Sequence, residues 1–379
     1  MANARITEVD AVRGFALVGI LLANIGFFSD PLALARMSTS PGPGTFLIDL
    51  VATTKFYVLF SFLFGYSFTL QMASAERAGV GVVGRTLRRC LGLLVVGVLH
   101  AILLWPGDIL TLYAFLGVLL VLCRGISHRA AVRTAVVLVS LLGFVFLALT
   151  VLTLVFGGST EEAPAPGAAE GFFGGFGDLV RLHLDLQPGT SIMIYLIQGP
   201  MAFAMFLLGM LAGRARLFER LGEYRNLFGR VRVIGLTVGG LGAVAYAVTD
   251  WAWRGTAWAL LGLGIGDVTA PLLTAAYVVT LIEVMWRWPA VTRVLSSAGR
   301  MAATGYVTQS LVLVLIFTGT GLGLAGKVPS LVVPVIALAV YALQLAVFSL
   351  WQRRFRRGPV EWFLHTITVG PARSVPVRG

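Results

Sequence analysis

His100 is the one histidine that falls within an apolar stretch of membrane-spanning length in this 379-residue chain. Imidazole titrates near neutral pH, so a histidine at that depth is suited to act as a general base or a proton carrier. Eight residues later, beyond the turn Trp105-Pro106-Gly107, comes Asp108. Its carboxylate can cap the helix that follows, or orient the imidazole or a substrate hydroxyl. Three carboxamides reach the same depth. Counting from the nearest arginine, Asn24 is 11 residues from Arg13, His100 is 11 from Arg89, Gln309 is 9 from Arg300 and Gln344 is 9 from Arg353. At a helical rise of about 1.5 Å per residue, all four lie roughly 13–17 Å above the arginines, near the middle of an apolar core about 30 Å thick. Polar groups at that level are costly unless they pair or face an internal cavity. The spacing therefore predicts a shared interior site, with cross-helix bridging by the carboxamides as the alternative. In such a site Asn24 is placed to donate to an oxyanion.

A second set of candidates lies at the arginine level. Arg85, Arg88 and Arg89 open the stretch that carries His100, and Arg13 stands at the same level on another. Guanidinium groups bind phosphate bidentately, so a phosphate-bearing ligand on the cytosolic side could be held there. Topology and anionic lipid headgroups are the competing explanation. No Walker A loop, Rossmann glycine fingerprint, HExxH or paired CxxC is present. No metal and no tightly bound cofactor is expected.

What must position these residues is a membrane bundle. Hydrophobic residues make up 58% of the chain and charged residues 12%, about half the charged share of a soluble domain. Soluble, disordered, collagenous and disulfide-rich classes are excluded. Ten apolar stretches read as helices: Arg13–Ser29, Lys55–Ala73, Arg89–Trp105, Asp108–Cys123, Val132–Phe156, Thr190–Gly213, Val231–Thr249, Val268–Trp286, Met301–Thr320 and Leu331–Trp351. With a cytoplasmic N-terminus, 24 of the 29 basic residues fall inside and only Arg36, Lys55, Arg181, Arg254 and Lys327 outside, as the positive-inside rule demands. The expectation is an all-α, polytopic transmembrane bundle of about ten spans with both termini cytoplasmic, forming a single integral membrane domain over residues 1–379. Its net charge of +12 then reports topology and not a nucleic-acid partner, and membrane lipids are the partners implied. Residues 157–189 read as a flexible outer loop whose second half, Phe172–Leu186, is an interfacial helix or a tether packed on the bundle, residues 352–379 as a cytoplasmic basic tail, and Trp251–Asp267 as a partial or re-entrant helix. Asn24 and Asp30 interrupt the first apolar run, which argues against a leader cleaved after Ala33-Leu34-Ala35. Cys90 and Cys123 each stand beside an arginine and are read as reduced packing residues. The sequence assigns no oligomeric state.

Five segments, in order along the chain, resemble a known family. They are Arg5…Asp10-Ala-Val-Arg13-Gly14…Asn24-Ile25, Phe60-Ser-Phe-Leu-Phe-Gly65-Tyr66, Arg88-Arg89…His100…Trp105-Pro-Gly-Asp108…Tyr113, Gly299-Arg300-Met301…Tyr306…Gln309-Ser310 and Phe355-Arg-Arg-Gly358-Pro359-Val-Glu361-Trp362. Together they resemble the YeiB-like family of bacterial polytopic membrane proteins of unknown function, which implies the bacterial cytoplasmic membrane. Gly305 departs from that pattern, where Asn is usual, as does His365, where Arg commonly follows the Glu-Trp pair. More distantly, Asp10, Arg13-Gly14 and Asn24 are similar to a pattern in transmembrane acyltransferases of the heparan glucosaminide acetyltransferase type. That resemblance implies an intramembrane histidine working between a cytosolic acyl-CoA and an acceptor on the far side.

The residues and the resemblance together favour an acyltransferase. His100, Asp108 and Asn24 would be catalytic, Tyr306, Gln309, Gln344, Asp10 and Arg13 would bind substrate, and Arg85, Arg88 and Arg89 would hold donor phosphates. The acceptor would be a glycan, a lipid or another small molecule. A proton-coupled transporter or exporter of a small amphiphile, using His100 and Asp108 as a proton pair, is the alternative, and a structural membrane protein is the third reading.

Overall fold

In an apolar medium the backbone must satisfy its own hydrogen bonds, and these long apolar runs do so as helices. The computed structural model describes residues 6–36, 38–159 and 167–369, and among them there are helices and turns but no strand. In chain order the helices are α1 (Thr7–Ser29), α2 (Ala33–Arg36), α3 (Pro43–Val51), α4 (Lys55–Arg77), α5 (Val82–Leu103), α6 (Leu110–Leu122), α7 (His128–Phe156), α8 (Ala168–Phe173) and α9 (Phe176–Met193). They continue with α10 (Gly199–Arg214), α11 (Arg225–Ile234), α12 (Gly240–Ala252), α13 (Ala257–Arg287), α14 (Pro289–Gly299), α15 (Ala302–Phe317), α16 (Val332–Arg354) and α17 (Pro359–Val369). Single π-turns over Ile194–Gln198 and Gly235–Gly239 join α9 to α10 and α11 to α12 without a break.

Among the described residues, eight helices or helix runs are long and apolar enough to cross a membrane. Counted together as one bent span, α14 and α15, which meet at an angle of 75°, bring the number to nine. Every one of the ten expected stretches is helical. α6 has only 13 residues, short for a core of about 30 Å at about 1.5 Å per residue, yet it brings the chain back to the level of Arg214, which donates to the Arg124 and Ile126 carbonyls just beyond it.

Three segments take a definite form in the structure. Trp251–Asp267 holds no re-entrant helix: α12 ends at Ala252, and α13 then runs unbroken for 31 residues. Thr256 caps its start by accepting from the Trp258 amide, and Asp267 does not break it because Tyr57 donates to its carboxylate at 2.5 Å. In the outer segment, Phe172, Leu179 and Leu182 are buried against the bundle, and α9 passes through Pro188 directly into a span. Glu161 and Glu162, in the stretch expected to be flexible, lie outside the described residues. The basic tail contains a helix, α17, which Pro359 starts and Leu364 anchors by burial. Cys90 and Cys123 are both free thiols.

Burial ranks the helices. In its most apolar window α1 is 61% buried inside the protein and α7 only 22%, so α1 is a central helix and α7 a peripheral one. Two glycines let α1 and α14 touch backbone to backbone. A Cβ on Gly299 would lie 1.6 Å from the carbonyl oxygen of Asp10, and one on Gly14 would lie 2.1 Å from that of Leu295. Charges segregate along α1 as well. One cavity gathers Arg13 with arginines of α5 and of the tail that follows α16, whereas Asp30, at the opposite end of α1, lines a second cavity with Arg36 and Arg254.

That segregation predicts sidedness. In a chain with both native cysteines replaced, a cysteine introduced at Glu219 should react only from the cytoplasmic side of the membrane and one at Ser159 only from the outer side. Labelling of both positions from one side would refute the topology.

Candidate active site

The site is built on a hairpin. α5 ends where the amides of Leu104 and Trp105 both donate to the carbonyl of His100, at 2.9 and 2.8 Å. The chain then reverses through Pro106 and Gly107 and enters α6. Asp108 fills both roles its position allows. Oδ2 accepts from the Thr111 amide in the first turn of α6 at 2.8 Å, and Oδ1 lies 2.9 Å from His100 Nδ1. Gly97, one turn before the histidine, makes room for this, since a Cβ there would lie 2.7 Å from Asp108 Oδ2 and 2.7 Å from the Thr111 nitrogen.

The other face of the imidazole meets α15. Nε2 is 2.9 Å from Ser310 Oγ, and the Tyr306 ring, one turn earlier on α15, has its centroid 4.7 Å from that of His100. His100, Asp108 and Ser310 are 2%, 2% and 3% exposed. With Nδ1–H donated to the carboxylate, Nε2 is free to accept the serine proton, which is the geometry of an activated hydroxyl nucleophile. Ser310 carries no distinctive sequence signal. A helical serine is ordinarily satisfied by its own backbone, and only its place beside Gln309 and one turn beyond Tyr306 could have pointed to it.

The carboxamides divide. Gln309 donates to Gln344 Oε1 at 3.0 Å and to the Leu17 carbonyl at 3.4 Å. Gln344 donates to the Gly305 carbonyl and to Thr308 Oγ1, at 2.9 and 2.8 Å. Both are buried, and they tie α15 to α16 and α1 instead of touching the imidazole. Gln309 Oε1 has no partner. Asn24 is only half-buried, and its side chain makes no hydrogen bond among the described residues.

A cavity of about 560 Å³ leads toward this relay from the arginine end of the bundle. Arg85, Arg89, Arg300, Arg356 and Arg357 line it, with Arg13, and further in it is walled by Phe60, Leu63, Phe64 and Leu93. Tyr113 and Tyr306 also form part of its wall. His100 does not line it, so the Tyr306 ring stands between the cavity and the imidazole. Arg88 is exposed and is not part of the wall. Asp10 is buried, also off the wall, and positions Arg13 through a 2.8 Å ion pair, while the second guanidinium nitrogen of Arg13 donates to Ser67 at 2.5 Å. Arg89 Nε is buried without a partner, a donor available to an anion. Arg300 is held from α16, where Gln352 accepts from its Nε at 2.7 Å.

The tail completes the wall. Glu361 accepts from the amides of Ala303 and Thr304, at 2.7 and 3.1 Å, and from the Thr304 hydroxyl at 2.6 Å. Its carboxylate thus satisfies the free amides at the start of α15, where the helix dipole favours negative charge. His365 faces the same cavity. Partial burial and the nearby Arg357 and Arg85 guanidinia hold its imidazole below the ordinary histidine range.

Residues 212–371 match the family described as Protein of unknown function (DUF418). The uncharacterized protein YxaH of Bacillus subtilis (strain 168) is 33% identical over 394 residues, covering 97% of this chain and 95% of that protein. The uncharacterized protein YeiB of Escherichia coli (strain K12) is 29% identical over 407 residues, covering 99% and 100%. Ser310, Gln309, Gln344 and Glu361 fall inside the matched family segment, while the His100–Asp108 hairpin precedes it and is covered by the full-length relatives. The chain therefore belongs to the YeiB-like, DUF418 family of polytopic helical membrane proteins.

Proposed function

We propose that this protein is an acyltransferase of the bacterial cytoplasmic membrane. The reading rests on one observation: an Asp108–His100–Ser310 hydrogen-bonded relay lies one aromatic ring beyond a cavity lined by arginines. Phosphates of an acyl-CoA would sit against Arg85, Arg89, Arg356 and Arg357, and the narrow acyl-bearing arm would follow the apolar wall toward Tyr306. Once that ring turns aside, Ser310 Oγ attacks the thioester carbonyl as His100 Nε2 takes its proton. The carbon–sulfur bond breaks, and the imidazolium returns the proton to the departing thiolate. In the second half, an acceptor hydroxyl or amine gives its proton to Nε2 and takes the acyl group from Ser310, which regains its own. Asp108 holds the tautomer that makes both halves work.

A proton-coupled transporter is the second reading. It is favoured by charges that the relay leaves unused: Lys55 and Asp267 are 1% and 3% exposed, and Asp267 Oδ2 has no partner.

The test is incubation of detergent-purified protein with radiolabelled acetyl-CoA and extracted cell-envelope acceptors. An enzyme forms labelled product without a sealed compartment. Arg85→Gln should raise the donor KM by about tenfold with little change in kcat, since one charge-assisted phosphate contact is lost from ground and transition state alike. Absence of product together with His100-dependent flux in proteoliposomes would transfer the argument to the transporter.

A further inference from the structure

A second cavity, of about 590 Å³, opens at the other end of α1. Asp30 on its wall is roughly 25 Å along the helix from Arg13, by about 1.5 Å per residue. It has two unlike halves. The polar half carries Asp30, Asp49, Asp250, Arg36 and Arg254. Both guanidinia are committed, Arg36 to Asp30 at 2.6 Å and Arg254 to Asp250. Asp30 is further occupied by the Ser40 amide and hydroxyl, at 2.8 and 2.6 Å.

Asp49 is different. It is 6% exposed, and its carboxylate makes no ion pair among the described residues. Oδ1 accepts from the Thr53 hydroxyl at 2.8 Å, whereas the Lys55 ammonium goes to its main-chain carbonyl at 2.7 Å instead of to the carboxylate. Even with the Tyr246 hydroxyl beside it, a carboxylate with about four acceptor positions keeps capacity for further donors.

The other half is apolar, and its edge is open. Phe146 and Leu149 of α7, Met193 and Ile197 at the α9–α10 joint and Leu263 of α13 form it. Leu149 is 38% and Met193 46% exposed, and α7 is the most exposed of the spans. A wholly water-soluble ligand has no use for such an edge. A molecule with a head that donates hydrogen bonds and a tail that stays in the membrane uses both halves.

The geometry points to a lipid site in this cavity, taking an uncharged, hydroxyl-rich head group against Asp49 with its chains leaving between α7 and α9. An anionic phosphate head is disfavoured by a wall whose three carboxylates outnumber its two guanidinia. Two rings link the cavity to the turn that carries the relay. Phe27 on its wall packs on Trp105 with centroids 5.6 Å apart, and the Trp105 amide donates to the His100 carbonyl. On the acyl-transfer reading, on which only its role as acceptor rests, the bound lipid receives the acyl group.

The test needs no acyl donor. Protein in phosphatidylcholine nanodiscs is titrated with fluorescent monoglucosyl diacylglycerol, with unlabelled diacylglycerol and phosphatidylglycerol as competitors. Saturable binding that neither competitor displaces is expected. Asp49→Asn should weaken it about tenfold or more, the effect of one charge-assisted hydrogen bond, and Leu149→Trp, at an exposed position, should block chain entry and abolish it. Displacement by diacylglycerol, or binding unchanged in Leu149→Trp, would overturn the site. Because binding is read without transfer, lipid binding with no labelled product would count against the acyltransferase alone, and product formation that both substitutions leave intact would count against the lipid site alone.

Discussion

His100→Gln is expected to lower the rate of acyl transfer by about 10²–10⁴-fold, the usual contribution of a positioned general base. Glutamine keeps a hydrogen-bonding group of similar reach, but it cannot accept a proton at neutral pH. The arginines proposed to hold the donor line a cavity of which His100 is not part, so donor affinity should stay within about twofold of the parent. Ser310→Ala should abolish a covalent acyl–protein adduct trapped by rapid acid quench from labelled acetyl-CoA. Retention of that adduct in Ser310→Ala would assign the acyl group to the imidazole, and full activity in His100→Gln would remove the relay from the mechanism.

Gly299→Ala should be among the most destabilising single methyl additions in the bundle. Its Cβ would lie 1.6 Å from the Asp10 carbonyl oxygen and 2.6 Å from its carbon, and neither is the end of a flexible side chain. Overpacking of that kind costs about 1–3 kcal/mol and occasionally more. α14 would have to move off α1 and carry Arg300 from the cavity wall, so donor affinity should fall with the melting temperature. Gly229→Ala on α11 is the control, with nothing within 4 Å of its Cβ position. It should be neutral or add up to about 1 kcal/mol through helix propensity. Thermal unfolding in detergent separates the two, and coincident melting curves for Gly299→Ala and the parent would contradict the close α1–α14 contact.

The spans were legible because membrane-spanning helices announce themselves by apolar length and by arginine placement. The His100–Asp108 pair was legible for a local reason: eight residues and a Trp-Pro-Gly turn bring the two together within one hairpin. Ser310 was not, because 210 residues separate it from His100 and only the packing of α15 on the hairpin unites them. Depth counting set Asn24, Gln309 and Gln344 at one level, yet depth says nothing about azimuth. The two glutamines turn toward α16 and α1, and Asn24 lies half-exposed. Composition likewise suggested a break between Trp251 and Asp267, where the partner of the buried carboxylate, Tyr57, comes from a distant helix.

Two members of the relay ride on one hairpin and the third on a separate rod, so its two hydrogen bonds differ in stiffness. The Asp108–His100 bond is fixed by main-chain bonds within the same turn. Ser310 sits ten residues beyond Arg300, at the 75° bend, on a lever about 15 Å long. A tilt of roughly 4° about that bend would move the hydroxyl by about 1 Å and carry a normal hydrogen bond beyond its useful range. The foot of the lever is pinned by Glu361 of the tail helix, beside the arginines. The serine contact is therefore the blade of the relay, with its hinge at the arginine end of the molecule, while the imidazole and its carboxylate form the fixed terminal.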